Sequence, residues 1–595
     1  MKQLLALLLA CLMLTGCGST TVAEVTVATT EAAVQPLSLE APSADSQAAA
    51  DYVSRFTQEV TIVLSDSGIT VNDGEETDTV YTSHDIVYYE DRDVYDSGNP
   101  YGEGDDWEKH TAEEAQSHTV VNITAPGAYR VSGKLPAGQI RVDLGSNAYD
   151  DPDARVELIL DNADITCTVA PAILFRNTYE CDGNWSVDKA AASVDTANAG
   201  ANLILEGENS VTGSHVAKIF RDKEGEKKLW KQDGAIYSYM SMNVFGPGAL
   251  LLTADNEGMD TELHLTIHGG TIRIDSGNDG INTNEDGVSV TTINGGKIWI
   301  NAGLGAEGDG IDSNGYLVIN GGMVCSSAKP MADAGLDSDL GSYIHGGTVI
   351  ALGSTMDWAE SESGQVTMNL QFAQRQEAGA QLVVTDQQGN VVFAYKPEYT
   401  EGLTRGYQGV ILSSPNLKQG QPYHVYTGGT LEGDLSAEQL VDVTKVTGYT
   451  GGTQMAYTGS DVGFGRPGGM PGGFNGQPPE GFDGQMPEDF DGQFPGGFDG
   501  QMPEGFDGQL PEDFDPSSFA PPEGGGFPGG ARPEGGRNPG GQRPEGNWEG
   551  QEPPAMPEGE MPQFGFGGRD GQTQEPNTEF YMNDMVNAFS GLTAV

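Results

Sequence analysis

Four stretches of this chain set the reading: Thr266-Ile267-His268-Gly269-Gly270-Thr271-Ile272, Thr292-Ile293-Asn294-Gly295-Gly296-Lys297-Ile298, Val318-Ile319-Asn320-Gly321-Gly322-Met323-Val324 and Tyr343-Ile344-His345-Gly346-Gly347-Thr348-Val349. Their first glycines stand at 269, 295, 321 and 346, which are 26, 26 and 25 residues apart. Apolar and polar residues alternate on both sides of each glycine pair, as in half-buried strands. Glycine supplies the backbone freedom that a tight corner needs. The unit is therefore strand, two-glycine corner, strand. One such unit cannot bury its apolar face alone, whereas stacked units share a core. Looser copies occur upstream at Asn243-Val244-Phe245-Gly246-Pro247-Gly248, Leu203-Ile204-Leu205-Glu206-Gly207 and Leu158-Ile159-Leu160-Asp161-Asn162-Ala163. Leucine-rich repeats have a similar period but need leucines at fixed offsets. Ile, Val, Thr, Gly and Asn stand here instead, so the expectation is an all-β fold, a right-handed parallel β-helix.

A second column recurs in the same repeats. Glu257-Gly258-Met259-Asp260-Thr261-Glu262, Asp279-Gly280-Ile281-Asn282-Thr283-Asn284, Asp309-Gly310-Ile311-Asp312-Ser313-Asn314 and Ala334-Gly335-Leu336-Asp337-Ser338-Asp339 each place polar residues around one inward apolar residue. Asp260, Asn282, Asp312 and Asp337 are expected to form one outward column, and Glu262, Asn284, Asn314 and Asp339 a second. Glu257, Asp279 and Asp309 are expected at the turn. Stacked at the strand spacing of ~4.8 Å, like charges repel by about 1 kcal/mol per pair in water. A hard cation with oxygen ligands, Ca²⁺, relieves that repulsion. The competing reading is an Asx ladder without metal, because Asp and Asn also bond neighbouring backbone at turns.

Outward from the repeats, the chain divides. Residues 1–17 carry Lys2, an apolar run from Leu4 to Leu14 and the sequence Leu14-Thr15-Gly16-Cys17, which reads as a lipoprotein signal with Cys17 as the lipidated residue. Residues 18–55 read as a flexible linker, 56–360 as the β-helix, 361–450 as a small antiparallel β domain covering the end of the stack, and 573–595 as a segment that docks on it. Residues 451–572 read as a disordered Gly/Pro-rich tail, with Phe474, Phe482, Phe490, Phe498, Phe506 and Phe514 recurring every eight residues. Asp91 to Gln116 reads as an acidic loop. The expected location is the outer face of a bacterial membrane, held by lipid and not by a spanning segment. The expected state is a monomer. Three cysteines remain beyond Cys17, and export permits a Cys167–Cys181 disulfide.

Net charge is −58, which disfavours nucleic acid as a partner and allows a polyanion only through bridging cations or a local basic patch. After the corners, Arg273, Lys297 and Trp299 occupy matching places with Met323, Cys325, Thr348 and Ile350. An indole stacks on a sugar and an Arg fork holds a uronate. Alternatively, Cys325 and Ile350 mark a face covered by another segment. Arg221 to Lys231, with Trp230, is either a second sugar-contacting patch or a solvated loop. No GxSxG or HExxH motif occurs.

The Leu14–Cys17 motif, Gly127-Ala128-Tyr129-Arg130-Val131-Ser132-Gly133, Asp233-Gly234-Ala235-Ile236-Tyr237-Ser238 and the serial Gly-Gly repeats resemble a family of clostridial carbohydrate-binding domain-containing lipoproteins. The likeness runs from about Thr57 to Thr450 and over the last twenty or so residues. It implies a pectate-lyase-like parallel β-helix that binds pectin or polygalacturonate and carries calcium without a clear lyase site. Three functions remain open from the residues: non-catalytic binding of acidic polysaccharide, a calcium-dependent lyase using Arg273, Lys297 or Lys329 as base, and a structural wall protein without a glycan ligand.

Overall fold

The computed structural model describes residues 52–89, 101–102, 108–220, 228–397, 406–460 and 575–595, apart from 67, 185, 306, 330–332, 355–356, 378 and 436–439. Cys17, residues 18–51 of the linker, most of the lysine-rich run before Lys228 and residues 461–574 of the tail lie outside the described residues.

The described chain is all-β, and its Gly-Gly repeats pair side by side in parallel. Ile267 pairs with Ile293, Ile293 with Ile319 and Ile319 with Ile344. After the corners, Ile272 pairs with Ile298, Ile298 with Val324 and Val324 with Val349. A third ladder runs Ile236, Met259, Ile281 and Ile311, and a single parallel bridge extends it to Leu336. Each repeat thus gives one strand to each of three ladders, and the named apolar residues belong to one buried cluster. Complete burial of such a side chain is worth about 1.5–3 kcal/mol. A slip by one residue would turn every one of them outward, so the apolar pattern holds the register.

The two glycines of a corner have different jobs. At Gly346 a Cβ would stand 2.3 Å from the carbonyl oxygen of Asn320 on the preceding rung. At Gly347 φ is +87°, in the left-handed region that side chains disfavour.

At the end of the stack, Thr348–Gly353 pairs antiparallel with Tyr407–Ser413. That pairing covers an edge that would otherwise present unpaired backbone groups. Thr367–Gln376 joins the same strand and pairs in parallel with Val586–Ala594. Phe580 and Phe589 are buried in the second core cluster. The strand Thr453–Ala456 pairs with both Pro422–Thr427 and Val586–Ala594, so ordered structure continues past the position where composition alone ends it.

Two further expectations are corrected. Part of the acidic stretch before Ser117 is a helix, Ala112–Gln116, because Thr111 and Glu114 form a reciprocal capping box and Ala115 packs into the core. Cys167 and Cys181 form no disulfide; Cys167 lies wholly inside the core and Cys181 is half-buried.

Candidate cation and carbohydrate site

The third ladder brings the acidic repeat residues into register. Tyr237 pairs with Asp260, Asp260 with Asn282 and Asn282 with Asp312. The column was expected to face solvent. Instead Asp260 is 0%, Glu257 5%, Asn282 6%, Glu262 7% and Asp279 8% exposed. Asn284, Asp309, Asp312, Asn314 and Asp337 are half-buried, and Asp339 is exposed. The column therefore runs from a closed end near Glu257 to an open end near Asp339.

The closed end has contributors from outside the repeats. Lys228–Gln232 is a strand of a hairpin with Val216–Phe220, and it brings Lys231 onto the column. Lys231 Nζ lies 2.5 Å from Asp233 Oδ2 and donates to Asn284 Oδ1 at 2.8 Å. Lys231 is thus not solvated; it is a buried ion-pair partner. Burial pulls its pKa down, but Asp233, Asp260, Glu257 and Glu262 outweigh that and hold it well above the ordinary value. Tyr237 donates its hydroxyl to Glu262.

One lysine does not neutralise this end. Carboxylate oxygens of Asp233, Glu257 and Asp260 all lie within 4.8 Å of one another. Glu257 Oε2, Asp260 Oδ2 and Asn282 Oδ1 accept no hydrogen bond from any described residue. Burial first, then the neighbouring carboxylates, push Glu257 up and Asp260 well above the usual range. Asp279 and Asp309 are raised in the same way. An unmet buried polar oxygen costs about 1–3 kcal/mol, and more when charged. Without a cation, Glu257 and Asp260 satisfy each other only by sharing a proton. A hard divalent cation with flexible oxygen coordination fits this donor set better than a soft-ligand metal.

Asx-ladder contacts are present as well. Asn282 donates to Glu257 Oε1 at 3.2 Å, and Asn284 donates to Asp260 Oδ1 at 2.5 Å. Asp309 N–H donates to Asp279 Oδ1, and Ala334 N–H to Asp309 Oδ1. Asn314 is drawn aside to Asn284 O and Asp286. Each of these four carboxylates thus has one oxygen held by the ladder, while Glu257 and Asp260 keep a second oxygen buried without a donor among the described residues. Asp233 escaped the repeat alignment because its Asp-Gly dipeptide sits one residue out of step: Gly234, not Asp233, pairs with Glu257. The likeness of Asp233-Gly234 to Asp279-Gly280 and Asp309-Gly310 is the signal that finds it.

Three of the four sugar-contact candidates, Arg273, Lys297 and Trp299, stand together on adjacent strands, and Trp230 lies elsewhere. Arg273 pairs with Trp299 across adjacent strands, as expected. However, Trp299 packs against the second core cluster, where Cys325 is 1% and Ile350 0% exposed. The covered-face alternative holds at that end. Arg273 Nε lies 3.3 Å from Asp275. Lys297 acts electrostatically on Asp442, which caps the short turn Val443–Lys445. Trp230 lies in the hairpin strand beside Lys231, opposite Ile219. Trp299→Ala should cost about 2 kcal/mol, less than the 3–5 kcal/mol of a fully buried aromatic, and Arg273→Ala should leave glycan retention unchanged. Thermal melts and affinity gels of the two variants check this; loss of glycan retention in a folded Arg273→Ala protein would restore this face as the sugar site.

Residues 117–396 match the model of a family described as carbohydrate-binding domain-containing protein, a little under half of the chain. A carbohydrate-binding domain-containing protein of Acetivibrio thermocellus is 30% identical over 159 residues, 27% of this chain and 46% of that protein. The chain thus spans less than half the length of that relative. Among solved structures, a polysaccharide lyase-like protein from C. thermocellum, in its gadolinium derivative, is 21% identical with a TM-score of 0.30, over 49% of this chain and 93% of that one. Over the stacked repeats, this chain is similar to carbohydrate-binding proteins, and the match supports a carbohydrate-binding role.

Proposed function

We propose that this chain is a non-catalytic carbohydrate-binding protein whose ladders wind as a right-handed parallel β-helix and whose acidic column holds Ca²⁺. The ligand is an acidic plant-type polysaccharide, pectin or polygalacturonate. Cys17 anchors the chain by lipid at the outer face of the cell membrane. The observation that carries the reading is the trio of buried oxygens without a partner among the described residues, Glu257 Oε2, Asp260 Oδ2 and Asn282 Oδ1. At the closed end, Asp233, Glu257, Asp260 and Asn282 would supply protein oxygens to a Ca²⁺ ion, which takes about six to eight. Toward Asp337 and Asp339 the column is more exposed, and a uronate carboxylate would reach a cation held there. A chain of charge −58 meets a polyanion favourably only through such a bridge.

A lyase would need a base beside the metal. Lys231 does stand on the acidic column, but the carboxylates around it hold it protonated, and Arg273 and Lys297 stand on the ladder after the corners. Lys329 donates to Gly305 O at 2.7 Å.

The test is pull-down of the full chain on insoluble pectin with Ca²⁺ and with chelator, read alongside ultraviolet absorbance for unsaturated products. Calcium-dependent retention without such products is expected. Retention in chelator would sink the bridging cation, and unsaturated products would make the protein a lyase.

A further inference from the structure

We infer that the cavity edged by Tyr52, Phe245 and His268, together with the polar ladder leading from it, holds an uncharged glycan chain lying along the stack, about one sugar residue per rung. This rests on the carbohydrate-binding reading and places a second binding face away from the acidic column. The cavity has a volume of about 290 Å³. Its floor is the face of the strands before the Gly-Gly corners, and its rims are the segments around Tyr52 and Asp195.

Phe245 and His268 lie on adjacent rungs with rings 4.5 Å apart and 3° from parallel, and Tyr52 leans on Phe245 at 4.7 Å. From His268 the ladder continues through the residue that precedes each glycine pair. Asn294 Nδ2 meets His268 Nδ1 at 3.4 Å, and Asn320 Nδ2 donates to Asn294 Oδ1 at 2.9 Å. His345 takes the same place on the next rung. Exposure grows along this line: His268 and Asn294 are half-buried, whereas Asn320 and His345 are exposed.

Three features select the ligand. First, the charged residues on the cavity wall are Arg55 and Asp195, one of each sign, and burial lowers the pKa of His268, which keeps its ring neutral near pH 7. In a chain of net charge −58, this balanced patch suits a neutral ligand. Second, the ladder bonds use one side of each member. Among the described residues, His268 Nε2, one N–H of Asn294 and Oδ1 of Asn320 remain without a partner, a mixture of donors and acceptors that matches sugar hydroxyls. Third, the members repeat at the strand spacing of ~4.8 Å, or about 19 Å from Phe245 to His345. That spacing is close to the length of one pyranose in an extended chain, so each rung offers the same contacts to successive sugars. The family match over residues 117–396 includes the whole ladder.

The experiment is affinity electrophoresis of the full chain in gels containing hydroxyethyl cellulose, arabinoxylan or galactomannan, with a polygalacturonate and Ca²⁺ gel in parallel. The variants are His268→Ala, Asn294→Lys and Asn320→Lys; the last changes an exposed side chain and should leave the fold intact. At least one neutral glycan should retard the native chain with or without Ca²⁺. Each variant should weaken that retardation about tenfold or more, through lost hydrogen bonds and a blocked rung, while retention on polygalacturonate persists. No retardation by any neutral glycan overturns the inference, as does full retention by variants with a native melting temperature. In either case continued calcium-dependent retention on polygalacturonate would leave the acidic-column reading standing, and its loss in all gels would remove both.

Discussion

Chelation should lower the melting temperature of the full chain at neutral pH, and Ca²⁺ should restore it. A ligand bound only by the folded state stabilises it by about 2.7 kcal/mol at a hundredfold excess over its Kd, which is several degrees at roughly 2–4 °C per kcal/mol. The cause lies at the closed end of the acidic column. Asp233, Glu257 and Asp260 offer oxygens within 4.8 Å of one another, and the buried pair has two oxygens without a donor. Like charges at such separations repel by about 1 kcal/mol in water and roughly 4 kcal/mol at an effective dielectric of 20. Lys231 offsets part of this. Asp260→Asn should therefore raise the melting temperature of the chelated protein and abolish most of its response to Ca²⁺. The sign matters: a carboxylate kept only for packing would lose stability on the same change. Calorimetry with and without Ca²⁺ reads both effects, and equal melting temperatures in the two conditions would show that the cluster satisfies itself with a shared proton.

His215→Gln should destabilise the chain by about 2 kcal/mol, below the roughly 3–5 kcal/mol of a wholly buried pair because one of its two partners, Asp255, is exposed. His215 is 5% exposed and lies between Glu108, at 2.8 Å from Nε2, and Asp255, at 3.1 Å from Nδ1. Ser214 donates to the other oxygen of Asp255 at 2.5 Å. Burial pulls the imidazole pKa down, but its hydrogen bonds to Asp255 and Glu108 outweigh that and push it up to about 10. The folded chain thus holds a proton that the unfolded chain releases near pH 6.5. This contribution is whole below pH 6.5 and is lost as pH rises toward 10. The native chain should lose stability between pH 7 and 10, and His215→Gln should lack that component of the slope. Melting temperatures across this range check it; parallel curves for the two proteins would mean that His215 is neutral when folded. The contact joins the segment before the Ala112–Gln116 helix to the stack, so the same variant should raise proteolysis around Glu108.

The repeats were legible because one period controls both corner and core. Gly-Gly pairs at 26-residue intervals forecast the pairing of Ile267 with Ile293 and of Ile293 with Ile319, since any other register would expose those side chains. The acidic column was legible in its membership for the same reason. Its burial was not, because Lys231 arrives from a hairpin inserted between repeats, and no period runs through an insertion. Asp233 was hidden by a one-residue offset. The face bearing Trp299 carried an ambiguous signal: Cys325 and Ile350 on the neighbouring rungs fit a covered surface, and strands after residue 365 provide the cover. The cavity beside Phe245 needs Tyr52 and Asp195, which lie far apart in sequence and outside the Gly-Gly pattern, so only the folded chain brings them together.

The central claim is that the acidic column is a cation site built around Glu257 and Asp260. Equilibrium dialysis of the full chain against radioactive calcium, with a Glu257→Gln/Asp260→Asn variant in parallel, tests it most directly. At least one bound ion per native chain is expected, and the loss of at least one in the variant, with the fold retained. Absence of bound calcium, or the same stoichiometry and affinity in both proteins, would contradict it.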